Sequence, residues 1–155
     1  FSIVFSPFVK FNKCLCAFIY VPTALADFFK CGGAQIVGHF DLLTKFDERE
    51  RFFDETSPRY RAAALDAMDA LVSAGKIFEV NTGAISRGWR TAPYPSRWAL
   101  EQLKRRSARV TISSDSHSTD TVDCAFGQAQ ALLRACGFEE IWAFDGETFR
   151  PKKIG

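Results

Sequence analysis

Histidine is scarce in this chain: 155 residues contain only two, His39 and His117. Charge of either sign is not in excess, since 20 Lys plus Arg against 18 Asp plus Glu leave a formal +2. That balance offers no electrostatic footprint for nucleic acid, and the densest basic run, "KRRSAR" at 104–109, reads as the solvated end of a helix. The five cysteines, at 14, 16, 31, 124 and 136, form no CxxC pair and no regular framework. They are expected as buried or free thiols in a reducing compartment, the cytoplasm, rather than as disulfides. No apolar run is long enough for a membrane span. A glycine-rich nucleotide loop and a G-x-S-x-G elbow are both missing, and no cysteine sits in a nucleophile signature. Nucleotide-loop and serine- or cysteine-nucleophile chemistries are thereby set aside.

What is present suits one domain, with 47% hydrophobic residues to build a core. Residues 1–22 stand apart, with five phenylalanines, two lysines and no acid. "KFNKCLCAFIYVPTALA" imitates a secretory signal, but a buried strand, or sequence foreign to the domain, is the preferred reading. From residue 23 the pattern becomes regular. A short helix, "ALADFFKCGG", precedes a brief strand, "AQIVGHF", expected to be buried on both faces. "SPRYRAAALDAMDALVSAG" reads as a helix with Ser57 at the cap, Pro58 at the first position and Gly75 as its stop. Then follow a strand, "KIFEVNTG", a helix opened by Ser96, and a strand, "RVTISSD". A long helix over 119–137, with Thr119 or Asp120 as its cap, and a last strand, "EIWAF", complete the series. Alternation of strand and helix predicts an α/β fold with parallel strands. Periodicity does not separate an open sheet from a (β/α) barrel.

Chemically capable residues gather where the strands end, the edge at which α/β proteins build their sites. Asp115 and His117, at i and i+2, project to one side of an extended chain. Carboxylate and imidazole together suit zinc, manganese or iron; a helix cap with a turn histidine is the plainer alternative. His39 and Asp41 repeat the pairing at another strand end. Asp41 has three readings there: a ligand, a partner that orients an imidazole, or the cap of the next segment. Glu79 lies inside an apolar strand, so it needs a metal, a catalytic role as base or an ion pair, a structural bridge to arginine included. The loop "NTGAISRGWRTAPYPS" carries Arg87 and Arg90, able to hold phosphate, and Trp89 and Tyr94, able to wall a small ligand. Metal-assisted hydrolysis is the most economical enzymatic reading.

Four segments, "IVGHFDLLTKF", "FEVNTGAISRG", "PYPS" and "ISSDSHS", stand in this order. Together they resemble the C-terminal half of the histidinol-phosphatase branch of the PHP (polymerase and histidinol phosphatase) family, over roughly residues 24–150. The resemblance implies a partial, distorted (β/α)7 TIM-like barrel. It also implies two or three divalent metal ions (zinc, manganese or iron) in the complete family site, and removal of phosphate from L-histidinol phosphate in histidine biosynthesis. By the same comparison His39, Asp115 and His117 match metal ligands, while Glu79 and Asn81 match the strand lining the site. Arg87 is expected on the substrate phosphate, with Arg90 second, and Asp115 and Glu79 are the catalytic candidates. The family's opening H-x-H pair has no counterpart here, so residues 23–155 are expected to be the C-terminal portion of such a domain, carrying one partial metal site. A small phosphorylated substrate is expected as partner, without nucleic acid or membrane, and the oligomeric state is left open. Another PHP-type nuclease or nucleotide phosphatase, and a metal-free α/β module, remain the alternatives.

Overall fold

β-branched and aromatic residues in short runs, each followed by a polar turn, build a parallel sheet. Its order is β1 (Ile36–Val37), β2 (Ile77–Asn81) and β3 (Arg109–Ser113), in a computed structural model that describes residues 34–48 and 54–155. Segment 1–22, the expected helix at 24–33 and residues 49–53 lie outside the described residues. β2 pairs with β1 through Ile36↔Ile77 and Val37↔Phe78, and with β3 from Ile77↔Arg109 to Asn81↔Ser113. The burial on both faces expected of the first strand belongs instead to β2, all five of whose residues are buried; in β1 Ile36 is exposed.

Helix α1 (Pro58–Ser73) starts at the proline and ends at Gly75, whose φ of 69° and bond to the Val72 carbonyl close the last turn. Its Ser57 makes no side-chain cap. A short helix, α2 (Gly83–Ser86), folds inside the glycine-rich loop. Helix α3 (Arg97–Arg105) is capped by Ser96, whose hydroxyl accepts from the Ala99 N–H. The long helix expected over 119–137 is broken. A 3₁₀ turn at Thr119–Thr121 precedes helix α4 (Phe126–Ala135), and Ala125 between them takes a left-handed φ of 59°. Thr82 donates to the Cys124 carbonyl at 2.7 Å and fixes the break. Gly137, at φ 87°, is the stop the sequence predicts.

The last strand also differs from expectation. β4 (Glu140–Phe144) lies against β3, with Arg109 over the Trp142 ring at 4.3 Å, yet it pairs antiparallel with β5 (Phe149–Lys153). Only the turn between Phe144 and Phe149 joins them, far too little chain for a parallel crossover. Asp145 Oδ1 closes that turn by accepting from the Glu147 and Thr148 N–H groups. The described strands therefore make an α/β structure with a three-stranded parallel sheet and an antiparallel pair.

Alternation along β2 decides what the sheet offers on each side. Phe78 and Val80 enter a core with Met68 and Leu71 of α1, Leu100 and Leu103 of α3, Val110 of β3 and Leu133 of α4. Each such side chain contributes about 1.5–3 kcal/mol by leaving water. The alternate residues Glu79 and Asn81 face away from these helices, toward the functional edge.

Candidate functional site

Strands β1 and β3 do not run smoothly into their loops. His39 (φ 57°), Asp41 (φ 67°) and Asp115 (φ 45°) all occupy the left-handed region, which non-glycine residues visit sparsely. Backbone held this way concentrates at functional sites. Because Asp115 bends, the extended geometry that would align it with His117 is lost. His117 is instead exposed, with Nε2 at 4.0 Å from Asp115 Oδ1.

Beside β2, the half-buried His39 is gripped from two directions. Glu79 Oε2 accepts the His39 backbone N–H at 2.8 Å and lies 3.7 Å from its Nδ1. The Tyr94 hydroxyl is 3.0 Å from the same Nδ1, and the two rings stack at 6.4 Å. Burial, then the charges of Glu79 and Asp115, hold the Tyr94 phenol well above the usual tyrosine range, so it stays protonated. Two backbone hydrogen bonds between Tyr94 and Asn81 pin the loop to the strand. Glu79 thus has the histidine, rather than an arginine, as its partner.

Asp115 forms the second focus. Arg87 donates through Nη1 to Asp115 Oδ2 at 3.2 Å and through Nη2 to its carbonyl at 2.6 Å. Lys45 Nζ lies 3.9 Å from the same Oδ2. Burial holds the Lys45 ammonium below the usual lysine range; Asp115 opposes that shift and Arg87 adds to it. This close approach depends on Gly83, where a Cβ would stand 2.5 Å from the Ser114 carbonyl oxygen, 2.9 Å from Arg87 Nη1 and 3.0 Å from the Asp115 Cβ.

Two of the predicted site residues are turned to other tasks. Asp41 is buried, accepts from Tyr60 at 2.6 Å and from Thr44, and its carboxyl is pushed up to about 7, chiefly by burial. It occupies the cap position of the 3₁₀ turn Leu42–Phe46 without capping it through its side chain. Arg90 is also buried, donating to the carbonyls of Thr44 and Ala92. Asn81 is fully buried. Its Oδ1 accepts the Gly83 N–H at 2.9 Å, which fixes the amide orientation and leaves Nδ2 without a hydrogen-bond partner. Lys45 and Tyr60 were not singled out in the sequence. A lysine inside the apolar run "DLLTKF" was the available signal for the first.

A divalent metal needs several carboxylate, imidazole or thiolate donors to converge. No group of three or more His, Cys, Asp and Glu side chains is placed to hold one among the described residues. His39, Asp115 and His117 do not meet as a ligand set; Asp115 faces two cations instead. Among the described residues, the partial metal site expected from the sequence is not assembled. Lys45 and Arg87 meet at Asp115 as cationic donors, and their chemistry fits an anion.

Fold and site together define an α/β protein with a cationic cluster where the strands of a parallel sheet end. No family model matches the chain. It is 33% identical over 108 residues to a probable histidinol-phosphatase of Schizosaccharomyces pombe, a match covering 68% of this chain and 35% of that protein. The chain therefore spans about a third of the length of this curated relative. No helix among the described residues is long and apolar enough to cross a membrane. Cys124 and Cys136 are free thiols.

Proposed function

We propose that the chain is a phosphoric monoester hydrolase of histidinol-phosphatase type within the PHP family, acting on L-histidinol phosphate in histidine biosynthesis. In this reading it works in the cytoplasm, and its parallel sheet is part of a distorted (β/α)7 barrel. The observation that carries the proposal is the convergence of Lys45 and Arg87 on Asp115 at the strand ends. Two cations 3.2–3.9 Å from one carboxylate oxygen form a place that a phosphoryl dianion can take over. Stabilising charge on the phosphoryl oxygens is the main work of phosphoryl-transfer sites. In this reading a phosphate on Arg87 and Lys45 releases Asp115 to accept a proton from the attacking water as the ester P–O bond breaks, and the same carboxyl returns that proton to the departing alcohol oxygen. Glu79 keeps His39 in place, and the His39–Tyr94 pair borders the same edge.

The test is release of inorganic phosphate from L-histidinol phosphate, with and without added manganese or zinc, for the native chain, Arg87→Ala and Asp115→Asn. Losses of about a hundredfold or more are expected for both variants. No release by the native chain under any of these conditions, or a variant equal to it, rejects the reading. A non-catalytic anion-binding module is the alternative favoured by the absence of a third ligand among the described residues. It predicts phosphate binding through Lys45 and Arg87 without turnover.

A further inference from the structure

At the other end of the sheet from the cationic cluster, a cleft of about 450 Å³ opens between the turn that leads into β3 and the turn that leads into β4. Its origin is topological. β4 lies against β3, but among the described strands it is hydrogen-bonded to β5, so no strand pairing closes the gap. Buried Phe138 and half-buried Trp142 give the cleft an apolar wall. Lys104 Nζ stands 5.4 Å from the Phe138 ring centre, and the Arg109 guanidinium 4.3 Å from that of Trp142. Glu139 and Glu140 bring two carboxylates to the same lining. Among the described residues, none of these four charged side chains is in an ion pair.

The two turns beside the cleft are built alike. After α3, the Ser107 N–H donates to the Lys104 carbonyl and the Ala108 N–H to the Leu103 carbonyl. After α4, Gly137 and Phe138 donate in the same pattern to Arg134 and Leu133. Both helices therefore end on a left-handed residue, Ser107 at φ 54° and Gly137 at φ 87°. Glycine takes that conformation freely, whereas serine is strained in it. It is the strained residue, Ser107, that lines the cleft, and strain of this kind gathers where ligands are held.

We propose that this cleft is a second ligand site, for a small zwitterion: a free α-amino acid with an apolar side chain. It is separate from the cluster at Asp115 and does not rest on the hydrolase reading; the strand β3, roughly 13 Å long, lies between the two. The lining carries two positive and two negative side chains. A simple anion drawn to Lys104 and Arg109 meets the two glutamates, and a simple cation drawn to the glutamates meets the two basic groups. A molecule with both charges answers each sign: its carboxylate takes Lys104, Arg109 and the Ser107 hydroxyl, and its ammonium takes Glu139 or Glu140. Its side chain then covers the Phe138 and Trp142 wall. The size suits such a ligand, since small-molecule pockets begin at about 300 Å³.

The test is heteronuclear NMR titration of the full chain with L-phenylalanine, with hydrocinnamate, which lacks the ammonium, and with phenethylamine, which lacks the carboxylate. L-Phenylalanine is expected to shift the Trp142 indole N–H, a resonance identified by its loss in Trp142→Phe. It is expected to bind about fivefold or more tightly than either of the other two. Arg109→Gln removes the preference over phenethylamine, and Glu139→Gln combined with Glu140→Gln removes the preference over hydrocinnamate. Thermal unfolding checks that each variant is folded, and Lys104→Gln serves where Arg109→Gln is not. Saturating inorganic phosphate leaves the titration unchanged. A Trp142 resonance that does not move up to the solubility limit of L-phenylalanine overturns the site. Equal binding of hydrocinnamate or phenethylamine overturns the zwitterion, as does a preference that survives in all the variants. Competition by phosphate places the binding at the Asp115 cluster and overturns the proposal, while loss of phosphatase activity has no bearing on it.

Discussion

Asp41→Asn is expected to stabilise the protein above neutrality and to flatten its stability–pH profile. In the native chain the Asp41 carboxyl is pushed up to about 7, with burial the leading cause, Glu55 adding to it, and the Tyr60, Thr44 and Ser96 hydrogen bonds opposing. An unfolded chain returns it to about 4. Between those values the folded state holds the proton more tightly than the unfolded state does. Stability from this group is therefore complete below about pH 4 and declines as pH rises through about 7. A difference of about three pH units corresponds to about 4 kcal/mol once the carboxylate is charged in both states. The group is 1% exposed, so solvent screening removes little of that. Asparagine has the same shape, never ionises, and keeps an oxygen to accept from the Tyr60 hydroxyl. Urea unfolding followed by circular dichroism, on both sides of the window, is the assay. With a slope of about 2 kcal/mol/M, the asparagine variant gains roughly 2 M in midpoint above the window and nothing below it. Parallel profiles for the two proteins, or a variant weaker than native above neutrality, would refute burial as the origin of the shift.

Three further outcomes follow from other parts of the molecule. Arg87→Ala removes charge-assisted donors worth about 1.5–3 kcal/mol, so calorimetric affinity for inorganic phosphate is expected to fall at least tenfold, with Arg87→Lys intermediate. Gly83→Ala drives a methyl group against the Ser114 carbonyl and the Asp115 Cβ; a loss of about 1–3 kcal/mol in urea unfolding is expected, together with weakened phosphate binding. Leu103→Ala, at a side chain with no exposure, opens a cavity between α3 and the sheet and is expected to cost about 2–5 kcal/mol in urea unfolding.

Residues near one another in the chain were read well from the sequence. Proline at the start of α1, glycine at its stop, serine at the head of α3 and the apolar run of β2 each specify their element through local sterics and hydrogen bonding. The parallel order of β1, β2 and β3 follows from the crossover segments between them. Where local pattern was insufficient, a distant contact intervened. The expected helix over 119–137 has a plausible cap and a glycine stop, but the Thr82 hydroxyl bonds the Cys124 carbonyl across 42 positions and the helix starts only at Phe126. "EIWAF" carries the signal of a strand but not its direction, which the short turn to β5 set.

The site divides the same way. Composition and spacing by themselves determined that histidine, acid and arginine collect at strand ends, because strand ends are where apolar runs must stop and polar groups can be hydrated. Which of those groups meet was decided by tertiary structure alone. His39 reaches Tyr94 across 55 positions, and Arg87 reaches Asp115 across 28. Such pairings depend on how helices cross the sheet and on left-handed bends at His39 and Asp115, neither of which has a periodic signature. Asp41, beside His39 in sequence, is turned away and buried against Tyr60, while Lys45 is brought to Asp115. A residue's chemistry is carried by its side chain; its partners are set by the packing that closes the chain around it.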